Sequence, residues 1–161
     1  MATDNQHDIR ILNGLLSATL DNAQSYQEAA ASSDDPGHKT LFETRAANHH
    51  GVAEQLQAAV VGLGGEPDRG GSILAKAKRA VMDVKQALMP DEASVLGDAE
   101  GGESLLLGRY DRALDDSHIS ATTRETIRRA RADIGEGHAA IGALRHSVQG
   151  QKDAESDIFP S

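Results

Sequence analysis

The sequence predicts an all-α fold: a four-helix bundle with an additional short helix in one long crossover. Three observations carry this expectation. Aromatic residues make up only 2% of the 161 residues, and an apolar supply of Ala, Leu, Val and Ile suits closely packed helices better than sheets. Apolar residues recur at the three-to-four spacing of amphipathic helices in four long stretches. No stretch sustains the alternation of a strand.

The first helix is expected over 7–32, with an apolar stripe through Ile9, Leu12, Leu15, Leu16, Thr19, Ala23, Tyr26 and Ala30. Ser33-Asp34-Asp35-Pro36-Gly37 ends it. Asp35 is placed to cap the second helix, with Pro36 at the first position, where a missing N–H costs nothing. That second helix is expected over 36–63, along Phe42, Arg45 or Ala46, His49, Val52, Leu56 and Val60, and it stops at Gly64-Gly65. The short loop between the two makes them antiparallel neighbours.

After the loop EPDRGGS, Ser72 caps a shorter helix over 73–88, about 24 Å long at the helical rise. Its stripe is Leu74, Ala77, Val81, Val84 and Leu88. Pro90 and Asp91 close it. The third bundle helix is expected over 92–116, along Val95, Leu96, Ala99, Glu103, Leu106, Tyr110, Ala113 and Leu114. The fourth starts near Ser120, where Thr122 and Glu125 have the spacing of a capping box. It continues along Ile127, Ala130, Ile134, His138, Ile141, Leu144 and Val148 to a stop at Gly150. Residues 1–7 read as an N-terminal arm, 8–149 as the bundle and 150–161 as a flexible polar tail. A crossover of this length returns the chain to the far end, so the second and third helices should be parallel. This is the one-crossover, ferritin-like arrangement.

Several segments resemble a known family: DIRILNGLL at 8–16, Tyr26-x-x-Ala29-Ala30, LFETRA at 41–46, LGGEP at 63–67, GGSILAKAKRAVMDVKQAL at 70–88, and Glu100-x-x-Glu103 followed by Tyr110. In this order they are similar to a bacterial family of ferritin-like four-helix-bundle proteins of unknown function. The similarity covers Asp8 to Arg145. Val81-Met82 departs from it, because the family usually has an aromatic residue in the crossover helix. The resemblance implies the fold and little about function.

The formal net charge of −9 disfavours nucleic acid, whose phosphates an acidic surface repels. The absence of cysteine excludes disulfides, thiolate metal sites and thiol nucleophiles. The polar start MATDNQHDIR has no apolar signal core, and no stretch approaches the ~20 apolar residues of a membrane span. A soluble, cytoplasmic protein is expected, with self-association or a protein partner, and membrane association is disfavoured. No Ser/His/Asp order or nucleotide fingerprint stands out. Gly62-x-Gly64-Gly65 follows a helix and reads as its stop. No catalytic residue is assigned.

The informative residues are the polar ones on apolar stripes: Thr19, Tyr26, His49, Glu103 and His138. A buried carboxylate is costly unless it is paired or binds a metal. The expected register puts Asp21 or Asn22, His49 and Glu103 in one central layer, with Asp133 and Ile134 nearby and His138 about a turn away. His49, Glu103, Asp21, Glu100, Asp133 and His138 are therefore the candidate ligands for a divalent metal or iron. Ferritin-like bundles hold two metals through a Glu from each of two helices and Glu-x-x-His from each of the other two. Here Ala46 follows Glu43 where histidine is needed, and Gly135 precedes His138 where glutamate is needed. The alternative is a buried structural pair of Glu103 and His49, with Arg45, Tyr26 and Asn22 completing a hydrogen-bond network.

Arg124, Arg128, Arg129 and Arg131 read as a solvated face paired with acids of the third helix. Lys76, Lys78, Arg79 and Lys85 give the crossover helix a basic face suited to an anionic membrane or a partner, although its apolar stripe is more simply buried on the bundle. Three functions follow: a non-enzymatic bundle with a structural or stress-associated role, a metal-binding bundle with a degenerate site at His49 and Glu103, and a bundle docking through its crossover helix.

Overall fold

The computed structural model describes residues 2–68 and 92–158 along the backbone, and side chains over 5–68, 97–139 and 141–143. The helix expected over 73–88, with its basic face, lies outside the described residues. Among the described residues there are four helices: α1 Ala2–Ser32, α2 Pro36–Gly62, α3 Glu92–Leu114 and α4 Ala121–Ile158. Among the described residues there is no strand.

The ends of α2 follow from its sequence. The Asp35 carboxylate accepts hydrogen bonds from the N–H groups of Gly37 at 2.8 Å and His38 at 3.1 Å, with Pro36 opening the helix. Those bonds hold the Asp35 carboxyl below its usual range. At the other end Gly64 takes a φ of 85°. Its N–H reaches the Val61 carbonyl at 2.9 Å, and Gly65 N–H reaches the Val60 carbonyl at 3.0 Å. This is the paired-bond stop that a left-handed glycine permits. A β-carbon on Gly65 would meet Ile9 Cγ2 at 2.8 Å, so the chain leaves α2 flush against α1.

Two boundaries and one cap differ from expectation. Helix α1 begins at Ala2, inside the expected arm. Nothing in Ala2–Gln6 breaks a helix, and His7 and Asp8 anchor that end through Asp116, Ser120 and Thr123. Helix α4 continues through Gly150 to Ile158. A helical glycine costs ~1 kcal/mol and stops a helix only when the backbone turns left-handed. The cap of α4 is Ser120, whose Oγ accepts from Thr123 N–H at 3.2 Å. Asp8 of α1 reinforces it, accepting from Ser120 N–H at 3.3 Å and from Thr123 Oγ1 at 2.8 Å. The expected Thr122–Glu125 box does not form, because Glu125 instead pairs with Arg128 and Arg129 on its own helix.

Side-chain contacts orient the helices. Tyr26 meets Glu103 and Thr19 meets Tyr110, so α1 and α3 are antiparallel. The loop at 33–35 makes α1 and α2 antiparallel, and α2 is therefore parallel to α3, as the one-crossover reading requires. One apolar cluster fills the lower bundle around Leu12, Leu16, Leu56, Tyr110, Ile127 and Ile134. A smaller one fills the upper part around Tyr26, Ala30, Phe42, Ala46 and Ile141. A polar layer lies between them.

Candidate functional site

Glu103 is the centre of that layer. It is 0% exposed, and all three other described helices reach it. From α1, the Tyr26 hydroxyl donates to Glu103 Oε2. From α2, Arg45 Nη2 donates to the same oxygen at 3.0 Å. From α4, His138 Nδ1 lies 3.0 Å from Oε1. Burial, followed by the negative charge of Glu103, pushes the Tyr26 phenol well above its usual range, so it stays protonated and donates.

Arg45 is itself buried at 4% exposure. Its Nη2 also donates to the Ile134 carbonyl at 2.8 Å, and its Nη1 donates to Asn48 Oδ1 at 3.2 Å. The guanidinium fits because α4 carries Gly137 beside it: a β-carbon there would overlap Arg45 Nη1 and Cζ. A cation and an anion thus neutralise one another between two apolar clusters. Such a pair adds little net stability over apolar residues, but removing one partner strands a buried charge.

His49 is 0% exposed, and burial lowers its imidazole from 6.5 to about 4, so it is neutral. Its Nδ1 lies 2.8 Å from the Arg45 carbonyl. A carbonyl can only accept, so Nδ1 carries the proton and Nε2 carries a lone pair. That Nε2 has no hydrogen-bond partner among the described residues and lies 3.4 Å from Glu103 Oε2. Protons from Tyr26 and Arg45 on this oxygen offset the proximity of the two acceptors. The Tyr26 ring packs edge-on to His49 with centroids 5.2 Å apart.

Of the expected ligands, the fold joins His49, Glu103 and His138. It also joins Tyr26 and Arg45 to them. The hydrogen bonds and ion pairs described for Glu103 come from Tyr26, Arg45, His49 and His138 and not from the expected Asp21, Glu100 or Asp133. Tyr26 takes the place expected of Asp21 or Asn22. Side chains lean toward the N-terminus of their helix, so in the antiparallel α1–α2 pair Tyr26 reaches down and His49 reaches up. Asn22 lies beside Gly102, where a β-carbon would meet its Nδ2 at 3.4 Å. Glu100 lies near Gly142, where a β-carbon would stand 3.9 Å from Oε1. Asp133 contributes its carbonyl, which accepts from Asn48 Nδ2 at 3.4 Å.

Gly137 was missed in the sequence, although a glycine inside a helical stripe signals close approach. The residues as placed do not fit a metal: among the described residues no three His, Asp or Glu side chains are arranged to hold an ion, and a guanidinium stands beside the carboxylate. Elsewhere, Arg131 pairs with Asp111 of α3 at 2.5 Å, while Arg124 donates to the carbonyls of Leu114 and Asp116.

A family model described as a domain of unknown function (DUF2383) matches residues 8–116. The chain belongs to this family. Its DUF2383 match spans α1 to α3, including Tyr26, Arg45, His49 and Glu103. No curated protein matches. Among solved structures, a variant of Dps1 from Mycobacterium smegmatis is similar with a TM-score of 0.71 and 10% identity, over 89% of this chain and 97% of that one. At this identity the likeness concerns the fold, which is a ferritin-like helical bundle. Among the described residues no helix is long and apolar enough to cross a membrane.

Proposed function

We propose that this chain is a non-enzymatic cytoplasmic bundle with a structural or stress-associated role, acting through its surface and through contacts with protein, including further copies of itself. One observation carries the reading: a guanidinium, that of Arg45, neutralises the central carboxylate of Glu103. The charge balance that a metal would supply in a ferritin-like bundle is met by an organic cation, so the layer can hold four helices in register without a cofactor. Elemental analysis of protein purified without chelators tests this. Background metal is expected in the native chain and in Glu103→Gln alike. Stoichiometric metal that Glu103→Gln removes would overturn it.

The bare Nε2 of His49 favours a second reading, a degenerate divalent-metal or iron site at His49 and Glu103. Metal-bound histidines commonly donate their other nitrogen's proton to a carbonyl, as His49 does to Arg45. Arg45 would have to withdraw for an ion to enter. Cobalt added to Arg45→Met should then produce visible bands that His49→Gln abolishes, and a colourless Arg45→Met would remove this reading. Docking through the crossover helix rests on the basic residues at 76–85, and vesicle sedimentation with anionic lipid at low salt tests it.

A further inference from the structure

Most described arginines have evident partners. Arg45 meets Glu103, Arg128 and Arg129 meet Glu125, Arg131 meets Asp111, and Arg124 binds two carbonyls. Three do not: Arg10 of α1 and Arg109 and Arg112 of α3 have no ion pair or hydrogen bond to another described residue, and all three are exposed. They line the same place, a groove of about 330 Å³ between α1 and α3. Its floor is Ile11, Gly14, Leu15 and Ala113. Asp116 closes one end, already engaged by His7 at 2.8 Å. An apolar floor rimmed by unpaired guanidinium groups fits an acidic segment with apolar residues between its acids. On a chain of net charge −9, the described arginines without a partner gather at this one groove, an arrangement suited to receive an anion there.

The same chain has such a segment. Asp153 and Asp157 lie four residues apart, each followed by an apolar residue, Ala154 and Ile158. The stretch belongs to α4, which runs to Ile158. Helix α4 starts level with Asp8 of α1 and is the longer of the two, so by helical rise it extends about 20 Å past Ser32. The groove is at the opposite end of the bundle, roughly 40 Å away along the axis, so the two cannot meet within one molecule.

We propose that the C-terminal part of α4, around Asp153 and Asp157, docks into the Arg10–Arg109–Arg112 groove of a second copy of this chain. The contact joins two different surfaces, so repetition yields a closed ring or an open chain of copies. It rests on the surface-acting role proposed above and names the surface. Its outcome is independent of the central layer, because metal content on the same preparations reports separately on that layer.

Sedimentation velocity over a concentration series tests it, at low and high salt, on the full chain and two full-length variants, R109E/R112E and D153K/D157K. Circular dichroism confirms that each variant keeps its helices. The native chain should gain mass with concentration, less so at high salt. Each variant alone should stay monomeric, because its groove and segment then repel. An equimolar mixture of the two should associate again, since each groove then meets a segment of opposite charge. A native chain that is monomeric throughout would overturn the proposal. So would association that persists in either variant alone, or a mixture that stays monomeric.

Discussion

The guanidinium of Arg45 lies in the volume that a β-carbon on Gly137 would occupy. Arginine on α2 and glycine on α4 are therefore one feature: the glycine lets a charged group cross the bundle axis to reach Glu103. Gly137→Ala should destabilise the fold by about 1–3 kcal/mol, the usual cost of overfilling a packed interior. Gly135→Ala, on the same helix, meets only Arg131 Nη1 at an ordinary 3.7 Å and should be neutral or stabilise by up to ~1 kcal/mol through helix propensity. Urea denaturation of the two variants checks the contrast.

The pairing of Arg45 with Glu103 predicts strong energetic coupling. Glu103→Ala should cost about 3–5 kcal/mol, because it leaves the guanidinium buried without its anion. Glu103→Leu alone should also be poorly tolerated for that reason. Combining Glu103→Leu with Arg45→Met should lie closer to the native chain than either single change. A double-mutant cycle measures this, and additive effects would contradict the pairing.

His49 predicts a pH dependence. Its folded value is about 4 against 6.5 for the free side chain, so between these values the unfolded chain binds more protons than the folded one. Stability should rise with pH across that window. It should be fully present above about pH 6.5 and fall as pH drops toward 4, by about 3 kcal/mol in total at 1.36 kcal/mol per unit. In His49→Gln the slope in this window should flatten. Denaturant midpoints of both proteins across the window provide the measurement.

The start of α4 predicts an order of effects among neighbouring residues. Asp8 is 2% exposed and satisfies Ser120 and Thr123 from another helix, so Asp8→Ala should cost about 1–3 kcal/mol. Ser120→Ala removes the local cap and should cost ~1 kcal/mol. Thr122→Ala, at an exposed position, should stay within ~0.5 kcal/mol. Thermal unfolding of the three variants would rank them.

Periodicity and punctuation alone determined much of this protein. The four apolar stripes, the Asp35-Pro36 start and the Gly64-Gly65 stop depend on residues close in sequence, so they are legible without coordinates. The parallel course of α2 and α3 also followed, from the length of the crossover. That Glu103 and His49 share a layer was legible from helix register. Tertiary structure decided what completes the layer. Loop position sets the levels of α-carbons, whereas side chains lean along their helices, so Tyr26 displaced Asp21 and Asn22. Likewise Asp8, far from Ser120 in sequence, reinforces the Ser120 cap by accepting from two donors at once, a contact that no local pattern reveals. Arg45 already stood on the stripe of the second helix and among the residues expected in a buried network, but what makes room for its guanidinium was not legible from its own helix. Only the gap left by Gly137 on a different helix turns it inward, and packing between distant segments creates that gap.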